Sequence, residues 1–272
     1  MPELPEVETT RRGIAAHASG RRIDSVQVYD GRLRWPVPDD LPTRISGRTI
    51  RAINRRSKYL LFKLDDATLL VHLGMTGSFR VITRATDRRK HDHVDILLED
   101  GSRLRYHDPR RFGAMLIVDG EPSQHPLLAG LGPEPLSDAF DPEYLYRRTR
   151  GRTAAIKVTL MDSRLVVGVG NIYANEALFR AGIRPTTPSG RLSRPKLARL
   201  VGSVREVLTE AIESGGSTLR DYVDPEGAAG RFQLIHRVYG RAGLPCRVCG
   251  TTIRASRLGQ RASFHCPHCQ PR

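Results

Sequence analysis

The sequence predicts an α+β chain of two domains, β-rich in its N-terminal half and helical in its C-terminal half, closed by a small cysteine module. Three observations lead there. Eight short β-like segments crowd between Ile23 and Val118. Beyond Gly130 the hydrophobic period switches from two to about 3.6 residues. All four cysteines fall within the last thirty residues.

The chain opens on a helix. Pro2 and Pro5 suit a first turn, Glu3, Glu6 and Glu8 favour its positive end, and Leu4, Val7 and Ile14 share one face. Gly20 stops it. Strands are expected at Ile23–Tyr29, Thr49–Ile53, Tyr59–Leu64, Thr68–His72, Ser78–Ile82, His93–Glu99, Arg103–Tyr106 and Ala114–Val118, with Asp100-Gly101 as a hairpin turn. Strands so spaced make a β-sandwich or a barrel. The Pro/Gly-rich LGPEPL from Leu131 reads as a connector. Helices are expected at Pro142–Arg150, Thr153–Met161, Ile172–Ala181 and Arg194–Ser214, the last ended by Gly215-Gly216. Tyr222–Gln233 reads as a mobile loop and Leu234–Tyr239 as a strand entering the cysteine module. The divisions are therefore 1–130, a linker or hinge at 131–150, a helical segment at 151–234, and the module at 235–272. No internal repeat is visible.

Charge narrows the function. Forty-four basic residues face 29 acidic ones, a formal net charge of +15. Arginine is spread along the whole chain, so a polyanion such as nucleic acid is the expected partner. No basic amphipathic helix points to a membrane surface, and apolar runs such as Leu165-Val166-Val167 are too short to span a bilayer. The acidic opening MPELPEVETT has no signal-peptide pattern. The expectation is a soluble, intracellular protein.

Two motifs carry chemistry. Cys246-x2-Cys249 and Cys266-x2-Cys269, separated by sixteen residues, make two knuckles with room for a β-hairpin between them. Four thiolates close a tetrahedral Zn²⁺ site with no open position, a structural site. His265 and His268 are alternative ligands that the paired spacing disfavours. Arg247, Arg254, Arg257 and Arg261 would turn the hairpin toward phosphates. At the other end, a small second residue normally permits removal of the initiator Met, exposing Pro2 as a secondary amine. An α-amine titrates near about 8, well below a lysine, and is substantially neutral at pH 7. Its attack on an aldehyde-like carbon gives an iminium ion, an electron sink for eliminating a phosphate, with Glu3 and Glu6 available to move protons. Taken alone, Pro and Glu here are equally an ordinary helix start.

MPELPEVETTRRGI resembles the opening of the formamidopyrimidine-DNA glycosylases, and further matching segments follow in order. They are RRSKYL around Lys58, HLGMTGS around Met75, KHDHVD around His91, DPRRFG around Arg110 and Phe112, LGPEPL, LMDSRLVVGVGNIYANEALF, GGSTLRDY, and VYGRAGLPCRVCG with the final CPHC. The resemblance spans the chain. It implies an N-terminal helix on a β-sandwich, a helix–two-turn–helix module and a zinc finger, with DNA bound in the cleft between. It also implies that mature Pro2 attacks C1′ of a damaged nucleotide and that Glu3 acts as acid and base. Lys58 would assist β-elimination, and Arg261 the following δ-elimination.

The DNA contacts follow the same logic. C1′ inside a duplex is out of reach, so the nucleotide must be flipped out. Met75, Arg110 and Phe112 resemble the family's gap fillers, Phe112 as wedge and Arg110 on the orphaned cytosine. Their neighbours Gly74, Gly77 and Gly113 suggest turns, whereas a lone Met or Phe in a β-domain is more often core. Gly168, Gly170 and Asn171 stand at a helix start able to hold a phosphate. Tyr173 occupies the place of the last glycine of a dinucleotide fingerprint, which excludes that motif. His91 and Arg152 match DNA-contacting positions, while Glu6 and Ser217 would border the flipped base. Arg220 and Asp221 share that loop without an assigned role. The implied activity is excision of 8-oxoguanine and formamidopyrimidines from duplex DNA, with lyase action at abasic sites and one structural zinc. The setting would be a monomer in the bacterial cytoplasm, associated with the nucleoid. Two alternatives stand beside it. Endonuclease VIII-type enzymes act on oxidised pyrimidines but usually open PEGPE and lack the Met/Arg/Phe set. A zinc DNA-binding protein without catalysis would not need Pro2, Glu3, Lys58 and Arg261 intact.

Overall fold

Helix α1 (Leu4–Ala18) begins where its proline-rich opening makes it begin. Pro5 stands in the first turn, where a missing N–H costs nothing, and Glu3 and Glu6 close a capping box. Leu4, Val7, Ile14 and Ala18 are fully buried. The structure, a computed structural model, describes residues 2–84, 86–217 and 235–271. The expected loop at Tyr222–Gln233, with Arg220 and Asp221, lies outside the described residues.

The chain divides into two units, the first built from residues up to Ala129 together with the segment from Ser214. Its strands are β1 (Ile23–Val28), β2 (Ala52–Arg56), β3 (Tyr59–Lys63), β4 (Ala67–His72), β5 (Ser78–Ile82), β6 (Asp92–Leu98), β7 (Arg103–His107) and β8 (Ala114–Asp119). They form two four-stranded sheets, ordered β1-β6-β7-β5 and β2-β3-β4-β8. The architecture is thus a sandwich, and the barrel is excluded. Leu60, Phe62, Leu69 and Val71 of one sheet share a buried cluster with Phe79, Val94, Ile96, Leu104 and Tyr106 of the other. Phe62 meets Phe79 across the sheets at 5.8 Å between ring centres. Alternating apolar residues drive this arrangement, because burying each large side chain contributes about 1.5–3 kcal/mol. Asp100-Gly101 turns β6 into β7 as expected, with Gly101 at φ +83°.

Three expectations need correction. The second strand runs Ala52–Arg56 instead of Thr49–Ile53. A two-residue turn at Ser57-Lys58 pins Arg56 opposite Tyr59 and pulls the ladder through Asn54 and Arg55. Short helices at Leu41–Ile45 (α2) and Pro126–Ala129 (α3) had no period long enough to announce them. Residues 235–239 form turns and bends, not a strand. Their backbone donors go elsewhere: the N–H groups of Arg237, Val238 and Tyr239 all donate to the buried Glu176 carboxylate at 2.8–3.0 Å.

The second unit holds α4 (Pro142–Thr149), α5 (Ile156–Leu160), α6 (Asn171–Arg180) and α7 (Arg194–Glu213), then the hairpin β9 (Arg254–Leu258) and β10 (Arg261–His265). Helix α5 starts three residues later than expected, since Ala155 pairs with Pro188 in an isolated bridge. Helix α7 buries Leu197, Leu200, Val201, Val204, Val207, Leu208 and Ala211, a stripe at helical spacing. Among the described residues, no helix is long and apolar enough to cross a membrane.

Charge is also built into the sandwich. Arg105, 2% exposed, donates from Nε and Nη2 to Asp95, each at 2.7 Å. Asp92 receives Arg80, the His107 ring and the N–H of Arg89 at 2.6–2.8 Å. Burial works to raise the Asp92 carboxyl, yet these donors outweigh it and hold it below its usual 3.8. A depressed carboxyl stabilises the fold above its unfolded value, and that share is lost as pH falls through the folded one. Wild type should therefore melt higher than Asp92→Asn at pH 7, with the gap shrinking below about pH 4. A gap constant from pH 7 to pH 3 in calorimetry would show that ionisation of Asp92 contributes nothing.

Candidate active site and metal centre

Pro2 and Glu3 are buried at the mouth of α1. Glu6 holds them there. One carboxylate oxygen accepts the N–H of Glu3 at 2.8 Å, and the other accepts the N–H of Ser217 at 2.8 Å. Gly216 makes the second bond feasible: its φ is +81°, and a Cβ there would stand 3.2 Å from Glu6 Oε1. The structure thus brings Pro2, Glu3, Glu6 and Ser217 into one group.

Lys58 sits in the β2–β3 turn beside Ser57, whose φ is +57°. Arg55 donates to the Ser57 carbonyl at 3.0 Å and to Glu8 of α1 at 3.2 Å, which ties this turn to α1. His72 closes the neighbourhood, its ring 4.8 Å from that of Tyr59. Burial, with the charges of Lys58 and Arg34, pushes its imidazole down to about 4. Its Nδ1 accepts the N–H of Gly74 at 3.0 Å, so the neutral ring carries its proton on Nε2. Sequence reasoning passed over His72, because a single histidine ending a strand has no distinguishing spacing.

Met75, Arg110 and Phe112 stand together on two abutting turns. Gly74 permits the approach: a Cβ there would lie 2.4 Å from the Phe112 carbonyl carbon. Fully buried Asp108 fastens both turns, taking the Thr76 hydroxyl at 2.6 Å, the Gly113 N–H at 2.9 Å and the Tyr106 hydroxyl at 3.3 Å. Phe112 is 40% exposed, Arg110 lies over its ring at 4.8 Å, and Met75 is half-buried. Phe112 and Arg110 are therefore surface groups on a rigid base, and Phe112 is not core. His91 is half-buried at φ +73°, 6.2 Å from the rings of His93 and His107. Burial and then the neighbouring Lys90 keep it below the usual histidine range.

In the second unit, Arg152 and Arg261 line one cavity of about 410 Å³ with Lys157, Asp162 and Arg164. Arg261 opens β10 after the turn Gly259-Gln260, both with positive φ. Buried Lys157 donates to the Ala262 carbonyl at 2.6 Å, fixing the strand next to it. Asn171 begins α6 behind Gly170, and its buried Oδ1 has no hydrogen-bond partner among the described residues. Amide oxygen and nitrogen are interchangeable by a flip, so this side chain is available to an anion at the helix N-terminus.

The four cysteines meet. Their sulfurs lie within 4.8 Å of one another, with Cys249–Cys266 at 3.4 Å and Cys246–Cys269 at 3.9 Å. Tetrahedral thiolates at about 2.3 Å from zinc would be about 3.8 Å apart, so the residues fit one ion. His265 and His268 stand outside this ligand set. Phe179, Val238 and Ile253 pack around Cys246 and Cys266, and Gln270 bridges the Cys266 N–H to the Ile183 carbonyl.

Comparison with known proteins gives matches in this order along the chain. The formamidopyrimidine-DNA glycosylase N-terminal domain matches residues 1–115, the H2TH domain of the same enzymes 131–223, and the zinc finger found in FPG and IleRS 243–272. The chain belongs to the formamidopyrimidine-DNA glycosylase family. The formamidopyrimidine-DNA glycosylase of Methylococcus capsulatus is 57% identical over 270 residues, 99% of this chain and all of its own. That of Thioalkalivibrio sulfidiphilus is equally similar, at 57% over the same coverage. Among solved structures, the Thermus thermophilus Fpg protein aligns with a TM-score of 0.88 at 43% identity, over 99% of this chain and 98% of its own. A Lactococcus lactis Fpg variant bound to Fapy-dG DNA aligns at 0.92 and 35% over the whole of both chains. As in other members of the family, the finger holds one structural zinc, here on Cys246, Cys249, Cys266 and Cys269.

Metal analysis of freshly purified protein should return one zinc per chain. Cys249→Ala should lose the metal and duplex binding while the sandwich keeps its thermal transition. Zinc retained in full by that variant would exclude Cys249 as a ligand.

Proposed function

We propose that this chain is a base-excision enzyme that removes 8-oxoguanine and formamidopyrimidines from duplex DNA and nicks the strand at the abasic site. The observation that carries the reading is the Glu6 clamp, which holds Pro2, Glu3 and Ser217 together at the mouth of α1. Family membership over the full chain supports it. The Lactococcus lactis enzyme has been solved with Fapy-dG, abasic and oxidised-pyrimidine DNA, so the preference for purines is a matter of degree.

In this reading the mature Pro2 amine attacks C1′ of the extruded nucleotide, the C1′–base bond breaks, and Glu3 moves the protons of base release and ring opening. The resulting iminium withdraws electrons, so loss of the C2′ proton expels the 3′ phosphate. Lys58, on its tethered turn, assists that step. Arg261 assists the second elimination, which expels the 5′ phosphate and leaves phosphate at both ends of the gap. Glu6 fixes Ser217 beside the base. Met75 and Phe112 fill the vacated stack, and Arg110 reaches the orphaned cytosine. His91, Arg152 and Asn171 hold backbone phosphates. Residues 131–150 serve as the hinge between the N-terminal catalytic part and the DNA-binding helices, with the lesion loop running to 234 and the finger from 235. Zinc supplies no chemistry here; it closes the finger that presents Arg261. The enzyme acts as a monomer without an obligate protein partner, in the bacterial cytoplasm at the nucleoid.

Borohydride should trap the mature protein on 8-oxoguanine DNA with the cross-link on Pro2. A link mapped to Lys58, or one that survives Pro2→Gly, would overturn the nucleophile. Arg110→Ala should lower excision opposite cytosine and narrow the cytosine-to-adenine difference by about 5- to 150-fold, since one such contact contributes about 1–3 kcal/mol. Phe112→Ala should slow 8-oxoguanine excision and spare cleavage of a pre-formed abasic site. Equal loss on both substrates would mean that Phe112 supports the fold. A wild-type preference for thymine glycol would favour the oxidised-pyrimidine class instead.

A further inference from the structure

The arginines of the first unit fall into two populations. Many are spent on neighbours: Arg12 on Glu8, Arg21 on Asp100, Arg44 on Asp119, Arg48 on Asp66 and Arg51 on Asp65. The segment joining β5 to β6 is different. Arg84, Arg88, Arg89 and Lys90 are all exposed, and among the described residues none of them forms an ion pair. Asp87 is the acidic residue among them, so the segment keeps a surplus of positive charge.

This segment is held in place. Buried Arg105 reaches out to the carbonyls of Thr86 and Asp87 at 3.3 and 3.2 Å. Asp92 takes the Arg89 N–H at 2.8 Å. The Arg88 guanidinium carbon stands over the Tyr29 ring, 4.6 Å from its centre. The next residue to Tyr29, Asp30, pairs with Arg111 at 2.7 Å, and the His91 carbonyl accepts the Asp108 N–H at 3.0 Å. The cations thus continue directly from His91 and from the turn carrying Arg110 and Phe112. Holding four unpaired cations on one edge raises their mutual repulsion, which a polyanion relieves and water alone only screens.

We infer that Arg88, Arg89 and Lys90 form an additional DNA-backbone contact surface. It extends the interface beyond the lesion site by binding phosphates without reading bases. The inference rests on the DNA-repair reading above. Each neutralised phosphate adds about 0.9 to the slope of log affinity against log salt.

The test compares wild type, Arg88→Ala/Arg89→Ala/Lys90→Ala, and a control with the same charge change, Arg44→Ala/Arg48→Ala/Arg51→Ala. Affinity for a tetrahydrofuran-containing duplex is measured between 50 and 200 mM salt. The 88–90 variant should flatten the slope by about 2, so its deficit at 50 mM exceeds that at 200 mM roughly 15-fold. Trimming the duplex arms in turn should abolish that deficit on one arm. The control should keep the wild-type slope. Equal slopes in all three proteins would overturn the proposal, and so would equal flattening in both variants, which reports net charge alone. Failure of wild type itself to bind this duplex would instead refute the repair reading.

Discussion

A buried carboxylate must be satisfied by hydrogen-bond donors, and this protein uses that requirement to hold its loops. Backbone in a loop has no ladder or helix to pair with, and unpaired buried donors cost about 1–3 kcal/mol each. Glu6 takes two such donors, from Glu3 and Ser217. Glu176 takes three, from Arg237, Val238 and Tyr239. Asp108 takes the Gly113 N–H and the Thr76 hydroxyl from the turns that carry Met75, Arg110 and Phe112, and the Tyr106 hydroxyl from β7. Every segment so fastened bears candidate functional residues or leads directly to them. The position of Pro2, the proposed nucleophile, thus depends on a side chain, Glu6, that need not touch a reacting atom.

The same logic orders the positive charge. A formal +15 is a sum over very different arginines. Arg105 and Arg80 are structural, buried against Asp95 and Asp92. Arg55 is a tether, linking the Lys58 turn to Glu8. Arg152 and Arg261 line a cavity, where Arg152 has only a long 3.9 Å pairing with Asp162. A cation already paired in the folded state has less to gain from a phosphate, because it must first give up its carboxylate. Partnering, more than net charge, therefore decides which arginines are available to nucleic acid.

Much of this was legible beforehand, for identifiable reasons. Alternation placed seven of the eight strands within one residue at each end, because one face of each is buried and a slip would expose it. The exception, β2, is polar along Asn54-Arg55-Arg56, and its register is set by the adjoining Ser57-Lys58 turn and by Glu8, a partner remote in sequence. The cysteine spacing announced the metal centre outright. Asp108 and Glu176 were missed as organisers, since a carboxylate that binds backbone looks no different in sequence from a solvated one. The strand expected at Leu234–Tyr239 failed for the same reason: Glu176, some sixty residues away, claims the donors that a ladder would have used.

Helix α6 shows how few residues suffice to integrate a unit built mostly of short pieces. Asn171, Asn175 and Phe179 recur every four residues and so share a face. At the first position Asn171 starts the helix, its Oδ1 without a hydrogen-bond partner among the described residues. At the second, Asn175 accepts the Phe264 N–H at 2.8 Å while its own amide returns to the Asn171 carbonyl at 2.6 Å. At the third, Phe179 packs into the cysteine cluster. Glu176, one residue off that face, claims the turn before the finger. The finger hairpin is too small to build a core of its own and depends on metal and on docking. Its orientation is consequently inherited from α6, so the strand that begins with Arg261 and the helix start at Asn171 share a rigid frame. Asn171 and Arg261 are thereby kept in fixed relation, although they lie ninety positions apart.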